Sequence, residues 1–187
     1  MYELHQVPTD KDVVKGSLGD GVGDGVIGVK SGHETIKLFP DALKVLQDYH
    51  AGKYPFRIAA ASSADTPLAV QIGRAAMDRL EVLPGVSMRE VFNRGWEPGF
   101  EGHLQIGRSP PLSSDKSRTH FPILKAETGT GYEGMLFFDD CNWGDHCQKV
   151  AKACPGVVCV RTPRGLQMQQ WEQGLSEYTK RYGGDEL

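Results

Sequence analysis

MLFFDDCNWGDHCQKV, residues 135–150, runs four apolar residues straight into two adjacent carboxylates, Asp139 and Asp140. A short apolar run bounded by turn residues reads as a buried strand, and the residues after it read as a helix from about Trp143 to Ala153. Two like charges at the end of a buried strand repel each other. Burying them together is costly unless a cation is near. The alternative is that the pair caps the following helix, where acids are favoured.

Working outward, strand and helix patterns alternate from Leu38 onward. FPDALKVLQDYHAGK has Pro40 and Asp41 near a helix start and apolar residues at helical spacing. RIAAAS (57–62) reads as a strand of small residues. Thr66 and Pro67 form an N-cap and first-turn pair for the helix beginning TPLAVQIG. A shorter strand is expected near REVFNRG, a long Gly- and Pro-rich excursion over 95–112, and a helix over 117–128 stopped by Gly129. VVCV reads as a strand and MQQWEQGLSEYTKRY as a closing helix. This alternation predicts an α/β fold with a mostly parallel sheet flanked by helices and right-handed crossovers.

In such sheets ligands bind at the carboxyl ends of the strands. Ser62 and Ser63 end one strand, Asp139 and Asp140 end another, and Lys116 lies in SSDK ahead of the 117–128 helix. One crevice is then expected to hold two carboxylates, a hydroxyl and an ammonium. A hard ion that keeps several waters, Mg²⁺, suits the carboxylates. Lys116 and Ser62 suit a phosphoryl group, one by charge and one by hydrogen bonding. Taken singly, Ser62 is also an ordinary strand-end turn residue and Lys116 an ordinary solvated lysine. Arg94, Arg108, Arg118 and Arg164 are available to an anionic substrate, although scattered arginines are usually solvated.

Residues 1–37 are different. Seven of the 23 glycines fall between Gly16 and Gly32, and Gly23, Gly25 and Gly28 spell G-x-G-x-x-G. A dinucleotide site needs a strand before and a helix after that motif. ETIKLF follows instead and alternates like a strand, so 1–37 is expected to be a flexible Gly-rich flap or loop. Residues 38–182 then form the α/β domain and 183–187 a polar tail.

At 187 residues with 39% hydrophobic content and a formal charge of −3, the chain is long enough for a real core. No basic excess points to nucleic acid, and no apolar run approaches a membrane span. MYELHQVPTDKD lacks the apolar and Arg-rich patterns of signal and transit peptides, and GDEL departs from an ER-retention tail in its first residue. A cytoplasmic location is expected, with an organellar one left open. The four cysteines, Cys141, Cys147, Cys154 and Cys159, form no C-x-x-C. Small buried thiols in a reducing compartment are the plain reading. A zinc-stabilised interaction domain built on Cys141, His146, Cys147 and Cys154 is a rival.

The order Ser62, Lys116, Asp139–Asp140 separates two families that use this kit. Response-regulator receivers carry their acidic pair early in the chain. The order here is that of motifs two, three and four in haloacid-dehalogenase-like (HAD) phosphohydrolases. LFPDALKVL, IAAASS, THFPIL and MLFFDDCNWGD together resemble the magnesium-dependent phosphatase-1 family of that superfamily, over about Leu38 to Leu175. The resemblance implies a Rossmann-like core, Mg²⁺ and hydrolysis of a phosphomonoester, with phosphotyrosine or a sugar phosphate as substrate class. It implies that Ser62 contacts the phosphoryl group, that Lys116 stabilises it, and that Asp139 and Asp140 coordinate the metal directly or through water. The family often has Arg after the motif-two Ser; Ser63 stands here.

The family's chemistry begins with D-x-D after an apolar strand, its first Asp attacking phosphorus and its second acting as acid and base. Asp20 and Asp24 lie four apart in the Gly-rich run, and Asp10 and Asp12 follow HQVPT, which is no buried strand. The first, central strand of the HAD core is therefore expected to be missing, the printed chain being an N-terminally shortened product or a start-site choice. Phosphate-ester hydrolysis is then expected to be weak or absent. The alternative is a non-catalytic pseudophosphatase or binding protein on the same fold.

Overall fold

The computed structural model describes residues 5–183. In chain order the elements begin β1 (Val13–Ser17), β2 (Asp24–Ser31), β3 (Glu34–Ile36), α1 (Pro40–His50), β4 (Ala60–Ser62), α2 (Pro67–Arg79), β5 (Glu81–Leu83), β6 (Val86–Ser87) and α3 (Met88–Asn93). They continue β7 (Leu104–Ile106), α4 (His120–Thr128), β8 (Leu136–Asp139), α5 (His146–Ala153), β9 (Val158–Arg161) and α6 (Met168–Tyr182). The expected readings of Met1–Leu4 and of the tail from 184 onward lie outside the described residues. The chain divides into two compact units, one reaching Leu38 and adding Leu43–Ile58 and Ala64–Phe100, the other made of Phe39–Ala42, Ala59–Ser63 and the chain from Glu101.

In the first unit the segment expected to be a loop is a three-stranded antiparallel sheet, β1-β2-β3. Its glycines serve strands and turns. Gly19, Gly21 and Gly23 have positive φ in the β1–β2 connection, a region open to glycine. A Cβ on Gly25 would stand 2.6 Å from Leu18 Cδ1, so the strand can approach that closely only without one. Val26 and Val29 bury their side chains with Ala76 and Leu80 of the helix side, and this apolar face holds the sheet. α2 starts as expected: Thr66 Oγ1 accepts from Ala69 N at 3.0 Å, with Pro67 in the first turn. The strand expected near REVFNRG is instead α3. Ser87 Oγ accepts from Glu90 N, and Glu90 Oε2 accepts from Ser87 N at 2.7 Å. This reciprocal capping box outweighs the strand preference of Val91 and Phe92.

In the second unit β4 pairs in parallel with β7, and β8 in parallel with β9. The fold is α/β, and both strand pairs of this unit are parallel. Among the described residues the parallel strands stand as two separate two-stranded ladders, each strand only three or four residues long. The Gly-rich segment, the other candidate strand material, is committed to the antiparallel sheet of the first unit. Side chains supply what a continuous ladder would. Phe121, Phe137, Cys147, Val150, Cys154 and Val157 form a buried cluster on which Ala61 of β4 also packs. Phe121 meets Phe137 edge-on with ring centroids 4.9 Å apart. α4 stops where the sequence indicates, at Gly129 with φ +67°. No helix among the described residues is long and apolar enough to cross a membrane.

Candidate functional site

The two adjacent aspartates have opposite environments. Successive strand residues face opposite sides, and β8 ends with Asp139 buried while Asp140 is exposed. Asp139 meets an ammonium: Lys116 Nζ donates to Asp139 Oδ2, and the side chains are only 9% and 5% exposed respectively. Cys141 N donates to Asp139 Oδ1 at 3.0 Å, and Thr162 N donates to the Asp139 carbonyl at 2.9 Å. Asp140 makes no hydrogen bond or ion pair among the described residues and stands open to solvent. The repulsion between the adjacent carboxylates is thus relieved by Lys116 on one side and by solvent exposure on the other.

Lys116 sits in a loop braced at several points. Asp115 Oδ1 accepts from Ser117 N at 3.1 Å and from Ser117 Oγ at 2.6 Å. The Ser117 hydroxyl is the main reason the Asp115 carboxyl is held below its ordinary range. Ser113 Oγ donates to the Asp115 carbonyl at 3.2 Å, and Cys154 Sγ lies 3.5 Å from the Ser117 carbonyl. The lysine stem passes the Phe137 ring, with Nζ 5.4 Å from its centroid. A long flexible side chain is thereby fixed before any ligand arrives, so less entropy is lost on binding.

Ser62 is exposed at the carboxyl end of β4, with Ser63 half-buried beside it. Its backbone is tied to α4 by a residue that sequence reasoning passed over. His120, fully buried, has Nε2 3.0 Å from the Ser62 carbonyl and 3.0 Å from the Gly107 carbonyl. Two carbonyl acceptors require Nε2 to carry the proton, and Nδ1 then faces the Thr119 hydroxyl at 3.1 Å. Burial holds His120 below its ordinary range, while the two carbonyl bonds oppose that shift. One neutral ring therefore joins the ends of β4 and β7 to the helix that follows Lys116. THF was noted as a motif, but nothing in it says that the imidazole would be buried.

The loop after Asp140 carries Trp143, which is 86% exposed. It ends at Asp145, whose Oδ1 accepts from Gln148 N at 2.7 Å and starts α5. His146, the first residue of α5, has Nδ1 3.6 Å from Asp139 Oδ2. That nitrogen is buried and makes no hydrogen bond among the described residues. The ligand atoms of Asp139, Cys141 and His146 all lie within 4.8 Å of one another. The four-residue zinc set expected as a rival does not assemble. Cys147 and Cys154 face the apolar cluster, and burial pushes the Cys147 thiol up to about 12 and raises that of Cys154. Cys159 is likewise pushed up to about 12 by burial. Of the arginines considered, Arg94 bonds the carbonyls of Tyr49 and His50, a structural duty.

The acid phosphatase family's sequence model matches residues 23–181, most of the chain. The chain belongs to the acid phosphatase family. It is also similar to magnesium-dependent phosphatase 1 of Homo sapiens, 33% identical over 66 residues. That match spans 35% of this chain and 35% of the relative's length.

Proposed function

We propose that this chain is a phosphatase-type domain that binds a small phosphorylated molecule at the strand ends carrying Ser62 and Asp140, with Mg²⁺ as its metal. The buried Lys116–Asp139 pair beside the open Asp140 carboxylate is the observation that carries the reading. Membership of the acid phosphatase family and the name of the human relative support it.

The donor set suits the ion. Mg²⁺ prefers oxygen ligands and retains waters, and Asp140 offers a carboxylate that no protein group has claimed among the described residues. Asp139 contributes directly or through water while keeping Lys116. When bound, the ion offsets negative charge on phosphoryl oxygens. The remaining roles belong to the chain. The Ser62 hydroxyl donates to a phosphoryl oxygen, and Ser63 adds a second donor. Lys116 lends positive charge while Asp139 holds it in place, and His120 keeps Ser62 at the correct height relative to the Lys116 loop. Phosphotyrosine and sugar phosphates are the substrate classes proposed.

Turnover by these 187 residues is proposed to be weak. Asp10 and Asp12, the one formal D-x-D, precede β1 instead of following a buried strand. Asp12 accepts from Thr9 N at 2.8 Å, and Asp10 pairs with Arg79 at 3.1 Å. Neither has the setting of a nucleophile. The test is hydrolysis of p-nitrophenyl phosphate with and without Mg²⁺, alongside calorimetric binding of inorganic phosphate. Mg²⁺-dependent phosphate binding that disappears in Asp140→Asn, with little turnover, is the expected result. Phosphate binding indifferent to Mg²⁺ and to Asp140→Asn rejects the site. Brisk turnover lost in Asp140→Asn upholds the site and rejects the weak-turnover reading.

A further inference from the structure

We propose that Asp139, Cys141 and His146 form a second site, sharing Asp139 with the proposed magnesium site, for a thiophilic divalent ion, Zn²⁺ by donor type, whose occupation draws Asp139 away from Lys116. The three donors come from the strand end, the turn and the first residue of α5, at sequence spacings of two and five. Cys141 is brought back toward the carboxylate by its own backbone N–H, which donates to Asp139 Oδ1 at 3.0 Å. His146 is fixed from the other side, because its neighbour Cys147 is buried in the apolar cluster.

The geometry suits a tetrahedral ion. Zinc bonds of about 2.0–2.3 Å to N, O and S place neighbouring ligand atoms roughly 3.3–3.7 Å apart. The His146 Nδ1–Asp139 Oδ2 separation is 3.6 Å already. The widest separation in the trio is within 4.8 Å, and half-buried Cys141, on a loop, can close it by rotating its side chain. The fourth position is left for water or an anion. His146 Nδ1 is a buried nitrogen with no hydrogen bond among the described residues, as a ligand atom awaiting an ion would be. The donors also discriminate. A thiolate and an imidazole favour zinc over magnesium, whereas the neighbouring Asp140 oxygen favours the reverse.

Asp139 Oδ2, the oxygen that accepts from Lys116, is also the one nearest His146. An ion there competes with the ammonium for it. If the phosphatase reading holds, zinc therefore opposes the function that Lys116 serves. That consequence rests on the phosphatase reading, whereas the binding itself does not.

The test uses the full chain and needs no turnover. Co²⁺, a spectroscopic stand-in for Zn²⁺, should give a thiolate-to-metal charge-transfer band that saturates at one equivalent and is abolished by added Zn²⁺. Cys141→Ser should remove the band, and both Cys141→Ser and His146→Gln should weaken zinc at least about tenfold, with circular dichroism confirming that each variant is folded. Asp140→Asn should keep the band. Absence of a thiolate band, zinc affinity unchanged by both ligand substitutions, or loss of the band in Asp140→Asn would overturn the soft-ion site. The band's presence would stand even if no phosphate binding is found.

Discussion

Lys116 and Asp139 neutralise each other in a place that water hardly reaches, with 9% and 5% of their side chains exposed. The pair is 23 residues apart in sequence and joins the loop before α4 to the end of β8. It is both a clamp within the second unit and the positive element of the proposed phosphate site.

Breaking the pair from one side should therefore be worse than removing it. Lys116→Met leaves a buried, uncompensated carboxylate and is expected to cost about 3–5 kcal/mol in urea denaturation. Adding Asp139→Leu to Lys116→Met should recover much of that loss. A double variant no more stable than Lys116→Met would mean that the pair is not coupled in the folded protein.

Asp140 should behave in the opposite way. It is exposed and makes no ion pair among the described residues, so Asp140→Asn is expected to change stability by less than about 0.5 kcal/mol. Thermal denaturation with and without Mg²⁺ checks the functional half: the wild-type chain should be stabilised by the ion and the variant should not.

His120 predicts a pH dependence with a definite sign. Its folded-state affinity for a proton is lowered by burial. The stability it confers is fully present above the unfolded value of about 6.5. It is lost progressively as the pH falls from there through the folded value, because the unfolded chain then binds the proton more readily. His120→Gln should flatten that part of the stability profile. His120→Leu, which also removes the buried donor shared by the carbonyls of Ser62 and Gly107, should lower stability at neutral pH by about 1–3 kcal/mol. A profile whose acid slope is unchanged in the variant would assign the slope elsewhere.

The thiols should sort into one and three. Burial pushes Cys147 and Cys159 up to about 12, which leaves scarcely any thiolate at pH 8, and it raises Cys154, whose side chain is fully buried. Iodoacetamide applied to the folded chain at that pH should modify Cys141 first, and the other three only after unfolding. Intact-mass spectrometry counts the additions. Early labelling of Cys147 would contradict its place in the apolar cluster.

Much of the second unit was legible in the sequence because its signals are local. Phe137 and Phe138 leading to Asp139 give a strand, Gly129 gives a helix stop, and Ser62, Lys116 and the aspartates occur in a telling order. The different fates of Asp139 and Asp140 follow from strand alternation, which a reading centred on their mutual repulsion set aside. β7 escaped notice because Leu104–Ile106 is too short for a periodic signal and lies among glycines and prolines. The Gly-rich segment misled for a different reason. Gly25 and Gly28 occupy strand positions where neighbouring side chains leave no room for a Cβ, and that is a tertiary fact. His120 and the Asp139–Cys141–His146 grouping also depend on packing between elements. No spacing rule distinguishes His146, whose nitrogen is buried next to a carboxylate, from an ordinary residue at a helix start.

Trp143 gives the loop after Asp140 an optical reporter. The chain has three tryptophans. Trp171 is 6% exposed, and Trp96 lies under the Arg57 guanidinium, 4.0 Å from its ring centroid, with its indole N–H on the Ile58 carbonyl at 2.9 Å. Trp143, at 86% exposed, is the ring that a collisional quencher such as acrylamide reaches first. Events at Cys141 or Asp140 occur within three residues of this fluorophore, so ion or phosphate arrival can be followed in the unlabelled chain by emission alone.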